Sequence, residues 1–212
     1  MKVSSSKEKI LKKIREALSN PVPLPFPKSE GNSSVFKPQS EELEILFAQE
    51  FTSLLGKFAF CVNEADAKNQ ISKLISQQKW TNVYCVEKQF DWLQGGDFSP
   101  LNQSSLADCD AAITSCHYLV ARTGAIVMSS AQESGRTVSA YASVHICIAY
   151  IDQLVFDTRD ALKALKGKYG NNLPSFITFA AGPSRTADIE KTLVVGVHGP
   201  KEVYLFLIDK PR

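Results

Sequence analysis

From residue 41 onward the chain alternates stretches whose apolar residues recur at helical spacing with short apolar runs of strand length. That alternation constrains the fold more than any single motif. Residues 41–55 and 65–78 read as helices, and 58–62 and 83–86 as strands. Further strands fall at 111–114, 125–128, 144–149, 176–181 and 203–207, with a helix over 157–166. Residues 93–106 are polar and punctuated by Gly and Pro, which reads as loop. Strands interleaved with helices of this length predict an α/β fold with a parallel sheet covered by helices.

The first 38 residues follow a different rule. Ser5-x-x-Glu8 is a capping-box pattern, and Ile10, Leu11, Ile14 and Leu18 recur at helical spacing, so 5–19 forms an amphipathic helix. Its other face carries Lys9, Lys12, Lys13 and Arg15. Pro21, Pro23, Pro25, Pro27 and Pro38, set among Ser, Gly and Asn, then make 20–38 an extended linker. The expected organisation is an N-terminal helix and Pro-rich linker over 1–38 and an α/β domain over 39–212. A tethered apolar stripe needs a partner, which makes the helix a handle for docking on its own domain or for a homo-oligomer.

Composition narrows the function classes. A formal net charge of +2, with lysines spread along the chain, gives no case for nucleic-acid binding. The N-terminus lacks an apolar run of signal-peptide length, and no segment approaches the roughly 20 apolar residues of a membrane span, so the expectation is a cytoplasmic protein. The five cysteines, Cys61, Cys85, Cys109, Cys116 and Cys147, are odd in number and never form Cys-x-x-Cys. That argues against a disulfide framework, a zinc ribbon or a resident iron–sulfur cluster. Cys61, Cys85 and Cys147 sit in apolar runs and read as small core residues.

The richest string is Gly182-Pro183-Ser184-Arg185-Thr186-Ala187-Asp188-Ile189-Glu190, followed by Gly196-Val197-His198-Gly199-Pro200. It breaks the apolar run 176–181, which reads as a buried strand, in a region where α/β sheets bind ligands. Ser184, Thr186 and Asp188 are N-cap types with Ala187, Ile189 and Leu193 behind them, so the string looks like the mouth of a short helix. Free N–H groups there, with Arg185, suit a carboxylate or phosphate; the same residues also suit an ordinary capped corner. His198, between two glycines, is the leading functional histidine, with a surface turn as the plain alternative. His145, inside an apolar run, reads as a hydrogen-bonded core residue, and His117 ranks below it. Arg122-Thr123-Gly124 and Gly135-Arg136 set arginines beside glycines, and together with Arg185 these could form an anion clamp or remain surface groups. The three histidines fit no metal spacing, and the signatures of P-loops, Rossmann folds and serine hydrolases are missing.

The strings from Gly182 to Glu190 and from Val195 to Pro200, with the strand at 203–207, resemble the lactate utilization protein C family of LUD-domain proteins. The block Cys116-His117-Tyr118-Leu119-Val120-Ala121-Arg122-Thr123-Gly124-Ala125-Ile126-Val127-Met128, with Gly135-Arg136 and Val144-His145-Ile146, supports the resemblance. It covers the last half of the chain strongly and the region from Glu41 weakly. The resemblance implies the fold of sugar-phosphate isomerases and CoA-transferases, an α/β fold with an open, mostly parallel sheet covered by helices and a ligand cleft. It also implies an accessory subunit in bacterial oxidation of L-lactate to pyruvate, with iron–sulfur clusters on partner proteins and no cofactor on this chain. A small anionic ligand would be held by Ser184, Arg185, Thr186, Asp188, His198, Arg122, Thr123 and Arg136. Relatives carry Glu where this chain has Arg122, which weakens the alternative of a stand-alone enzyme acting on a CoA ester, sugar phosphate or small carboxylate.

Overall fold

The computed structural model describes residues 5–19, 42–95, 106–187, 193–196 and 198–212. The chain divides into two compact units, Met1–Gln39 and Ser40–Arg212. The first contains α1 (Ser5–Ser19), where the capping-box pattern and the helical spacing of apolar residues place it, with Ile10, Leu11 and Ile14 exposed along it. The linker expected over 20–38 and most of the loop expected over 93–106 lie outside the described residues.

The second unit runs α2 (Leu43–Ser53), β1 (Lys57–Cys61), α3 (Glu64–Gln78), β2 (Val83–Tyr84), β3 (Ala111–Thr114), β4 (Tyr118–Val120) and β5 (Ala125–Ser129). It continues with α4 (Val138–Tyr141), β6 (Val144–Tyr150), β7 (Leu154–Val155), α5 (Thr158–Tyr169), β8 (Ile177–Ala180), β9 (Arg185–Ala187), β10 (Leu193–Val195) and β11 (Glu202–Ile208). Five strands form a wholly parallel sheet in the order β1-β11-β6-β3-β2. Every residue of β6 is buried, because helices or strands cover both faces, and this is why the run is apolar without alternation.

The two faces use alternate residues of the same strands. Ile146, Ile148, Tyr204, Phe206 and Ile208 pack with Ala67 and Ile71 of α3. Cys147, Ala149, Val203, Leu205 and Leu207 meet Phe47 and Phe51 of α2 and Leu119, Ile126 and Met128 of the next layer. Phe47 and Phe51 stack with ring centroids 5.4 Å apart, anchoring α2 across this face. Burial raises the Cys61 thiol to about 12 and the Cys85 thiol to about 11, so both stay protonated as core residues.

That next layer is a second sheet, order β7-β4-β5-β8, in which β5 runs antiparallel to both β4 and β8. The expected α/β class with a mostly parallel sheet holds, while the expected strands at 125–128 and 176–181 join β4 and β7 in this second sheet. The reason is local, since only Ala121–Gly124 joins β4 to β5, and a connection that short cannot cross over to a parallel neighbour. Helix α5 closes the far side, with Ala161 and Leu165 against Val120 and Val127.

Asp157 starts α5 with a capping box shared with Asp160, its side chain accepting from the Arg159 N–H at 3.0 Å. Its Oδ2 also lies 2.7 Å from Nε of Arg122 in an ion pair. Asp157→Ala removes both roles, and a loss of about 2 kcal/mol in urea denaturation is the expected result. Among the described residues no helix is long and apolar enough to cross a membrane.

Candidate functional site

The two glycine-containing turns meet back to back. The Ser184 N–H donates to Pro200 O at 2.9 Å, and the Gly196 N–H donates to Ser184 O at 2.9 Å. Gly182 takes φ +72, and a Cβ there would stand 2.3 Å from the Leu54 carbonyl oxygen at the end of α2. Only glycine lets the chain leave β8 under that helix end. A Cβ on Gly199 would come within 2.9 Å of the Ser184 Cβ, so glycine here keeps the two turns in contact.

These turns roof a cleft of about 260 Å³ between the sheets, at the amino ends of β6 and β11. Met128 of β5 and Thr178 and Ala180 of β8 form the facing wall, and Ser139 and Ala140 of α4 close one side. His145 and Val203 line the parallel-sheet side. Ser184, His198 and Arg136 also line the cleft, so three of the expected ligand residues converge. An outer groove of about 420 Å³ adjoins it through Ala140, His198 and Gly199 and is flanked by the exposed Tyr141.

His145 is 1% exposed, and its Nε2 lies 2.8 Å from Oγ1 of Thr114. Burial lowers its pKa to about 4, which keeps the imidazole neutral at pH 7. It is thus the hydrogen-bonded core residue the sequence suggests, yet it also contributes to the cleft wall. Arg136 is exposed, and its guanidinium donates to the Ser175 hydroxyl. The described lining offers one guanidinium, the hydroxyls of Ser139, Thr178 and Ser184, two imidazoles, apolar surface and no carboxylate. Such a lining suits a small anion with an apolar part.

Three expectations need correction. The residues after Ser184 do not open a helix: Arg185–Ala187 is a strand, paired antiparallel with Leu193–Val195. Cross-strand pairing of β-branched residues such as Thr186 and Val194 engages backbone groups that a helix mouth would leave free for an anion. Arg185 itself is exposed on this hairpin and does not line the cleft. Arg122 and Thr123 are also elsewhere, in the turn Ala121–Thr123, where the Arg122 N–H donates to Phe156 O at 3.1 Å and the guanidinium pairs with Asp157. The clamp of Arg122, Arg136 and Arg185 is therefore not formed. Asp188 and the side chain of Thr186 lie outside the described residues.

Met128, Ser139 and Thr178 give no local sequence signal of a site, because a strand residue and a lining residue look alike until sheets are stacked. His145 does carry one, as the one imidazole in a seven-residue buried strand. Among the described residues no three of His, Cys, Asp and Glu gather as a metal-holding group.

Comparison with known proteins places these turns in context. The LUD domain family model matches residues 88–208, which contain both turns, Arg136 and His145. A lactate utilization protein C of Halalkalibacterium halodurans is 39% identical over 104 residues, covering 48% of this chain and 45% of that protein. Its namesake in Deinococcus radiodurans is 32% identical over 123 residues, covering 55% of this chain and 57% of that protein. The chain thus spans about half the length of the curated relatives it matches. The crystal structure of a DUF162 family protein from Deinococcus radiodurans superposes with a TM-score of 0.58 at 21% identity, covering 78% of this chain and 96% of that one, and shows the same fold. By the match over more than half of its length, the chain belongs to the LUD domain family.

Proposed function

We propose that this protein serves lactate utilization as an accessory component of L-lactate oxidation to pyruvate, beside iron–sulfur partner proteins, and holds a small anion in the cleft roofed by Ser184 and His198. The observation that carries the reading is the convergence of Arg136, Ser184, His198 and Gly199 on one cleft. All four lie within the span matched by the LUD domain, a domain shared with proteins named lactate utilization protein C. Arg136 would meet a carboxylate, Ser184 would donate to it, and Met128 and Val203 would cover a methyl group. The iron–sulfur clusters are assigned to the partners because the cysteines of this chain lack cluster spacing and two of its thiols are held protonated. Helix α1, with its exposed Ile10 and Ile14, serves as the handle for a second copy or a partner.

A second reading, an enzyme acting on a longer ligand such as a CoA ester, draws on the outer groove beside Tyr141. Lactate-dependent dye reduction in extracts of a strain lacking this chain separates the two. Activity that falls on deletion, returns with the wild-type chain and returns at a tenth or less with Arg136→Ala is the result expected for the first, since a charge-assisted hydrogen bond is worth about 1.5–3 kcal/mol. Activity untouched by deletion would remove the lactate reading and leave the enzyme.

A further inference from the structure

The parallel sheet has a second cleft at its opposite end. It holds about 290 Å³ beyond the carboxyl ends of β2 and β3, where open α/β sheets bind ligands, and shares no lining residue with the motif cleft. Glu87, Ser115, His117, Glu133, Lys168 and Arg212 are among its walls.

Three of its polar residues, Glu87, Ser115 and His117, are buried, while Lys168 and Arg212 are exposed at its rim. Glu87 is 4% exposed, with Oε1 accepting the Ser115 N–H at 3.1 Å and Oε2 accepting from Nε2 of Gln89 at 2.5 Å. It forms no ion pair among the described residues, although an uncompensated buried carboxylate is costly. His117 is 8% exposed, its Nε2 2.8 Å from the Ser129 hydroxyl and its ring edge-on to Tyr169 at 5.9 Å. Its Nδ1 makes no hydrogen bond among the described residues. Burial, then the charges of Lys168 and Arg212, lower its pKa to about 4, so a neutral ring sits beside two cations. Lys168 has no carboxylate partner among the described ion pairs, and Arg212 bonds the neutral Gln89 Oε1 at 2.8 Å.

The walls therefore present both charge signs without pairing them to each other. The cleft walls are tied together, since Glu133 Oε2 accepts the Lys88 N–H at 2.8 Å and Gln132 Nε2 donates to Ser115 O at 2.9 Å. A lone anion would leave Glu87 uncompensated, and a lone cation would face Lys168 and Arg212. One small molecule carrying both signs sets opposite charge against Glu87 and against Lys168 and Arg212. We propose that this cleft is a binding site for a small α-amino acid in its zwitterionic form, with the carboxylate at Lys168, Arg212 and His117 and the ammonium group at Glu87. The inference does not rest on the lactate reading, because it uses a different cleft and a different ligand.

The test is a thermal-shift and calorimetric titration of the full chain with glycine, L-alanine, L-serine, L-aspartate and L-glutamine, with L-lactate as the counterpart of L-alanine in which hydroxyl replaces ammonium. At least one amino acid is expected to raise Tm by roughly 5 °C at a hundredfold excess over its Kd. Glu87→Gln keeps the shape of the wall and the bond from the Ser115 N–H, exchanges the carboxylate oxygen that accepts from Gln89 for an NH2 group, removes the negative charge, and is expected to weaken that binding at least tenfold. Lys168→Ala, at an exposed position where folding is not at risk, should weaken it severalfold. Absence of binding by the whole set, binding unchanged in Lys168→Ala, or L-lactate binding as tightly as L-alanine would each overturn the proposal.

Discussion

Gly182→Ala is expected to destabilise the α/β unit by roughly 2–5 kcal/mol in urea denaturation. Two effects add. The residue has φ +72, a left-handed conformation that costs an L side chain about 1–2 kcal/mol. The new Cβ would also stand 2.3 Å from Leu54 O, a backbone atom that can yield only by moving the end of α2. Overpacking of that kind costs about 1–3 kcal/mol. Gly135→Ala separates the two effects, because Gly135 has φ +65 but nothing within 4 Å of its Cβ position. A loss at Gly182 no larger than at Gly135 would mean that α2 gives way freely and that the contact is not a constraint. Because Ser184 lies two residues on, the same substitution should also lower ligand affinity in the motif cleft.

Acidification is expected to weaken the fold between about pH 6.5 and pH 4. His145 titrates near 4 in the folded protein because burial opposes its charge, against an ordinary 6.5 in the unfolded chain. In that window the unfolded state takes up a proton that the folded state refuses, so stability falls as pH falls and is unaffected above pH 6.5. One such group lowers stability by about 1.4 kcal/mol per pH unit, or about 3 kcal/mol across the window. His117 acts in the same direction over the same interval. Glu202 differs: hydrogen bonds from Lys57 and Tyr204 hold its carboxyl below the usual value, so its contribution is lost only at lower pH. Denaturation midpoints at pH 7, 6, 5 and 4.5 for the wild type and His145→Gln check this. The variant should show a slope about half as steep, and an unchanged slope would mean that His145 does not govern acid stability.

The sequence is legible where one element accounts for its own pattern. Residues 144–149 and 203–207 read as strands within β6 and β11 because both faces of these strands are covered, and α3 and α5 read as helices from their periodicity. It misleads at the string after Ser184, where N-cap residue types and a Gly-Pro break look the same whether a helix or a hairpin follows. The antiparallel partner Leu193–Val195 decides that case, and it is a tertiary neighbour.

Alone, the sequence determined the α/β class and the family, since each rests on local periodicity or a contiguous string. Only the tertiary structure decided which side chains share a cleft. It took Arg122 away to cap-forming Asp157, gave Arg136, Ser184 and His198 one cavity, and set His117 and Glu87 around another. The physical reason is that a cleft is a contact between elements distant in sequence, fixed by how buried faces pack, and no local pattern encodes which loops that packing brings together.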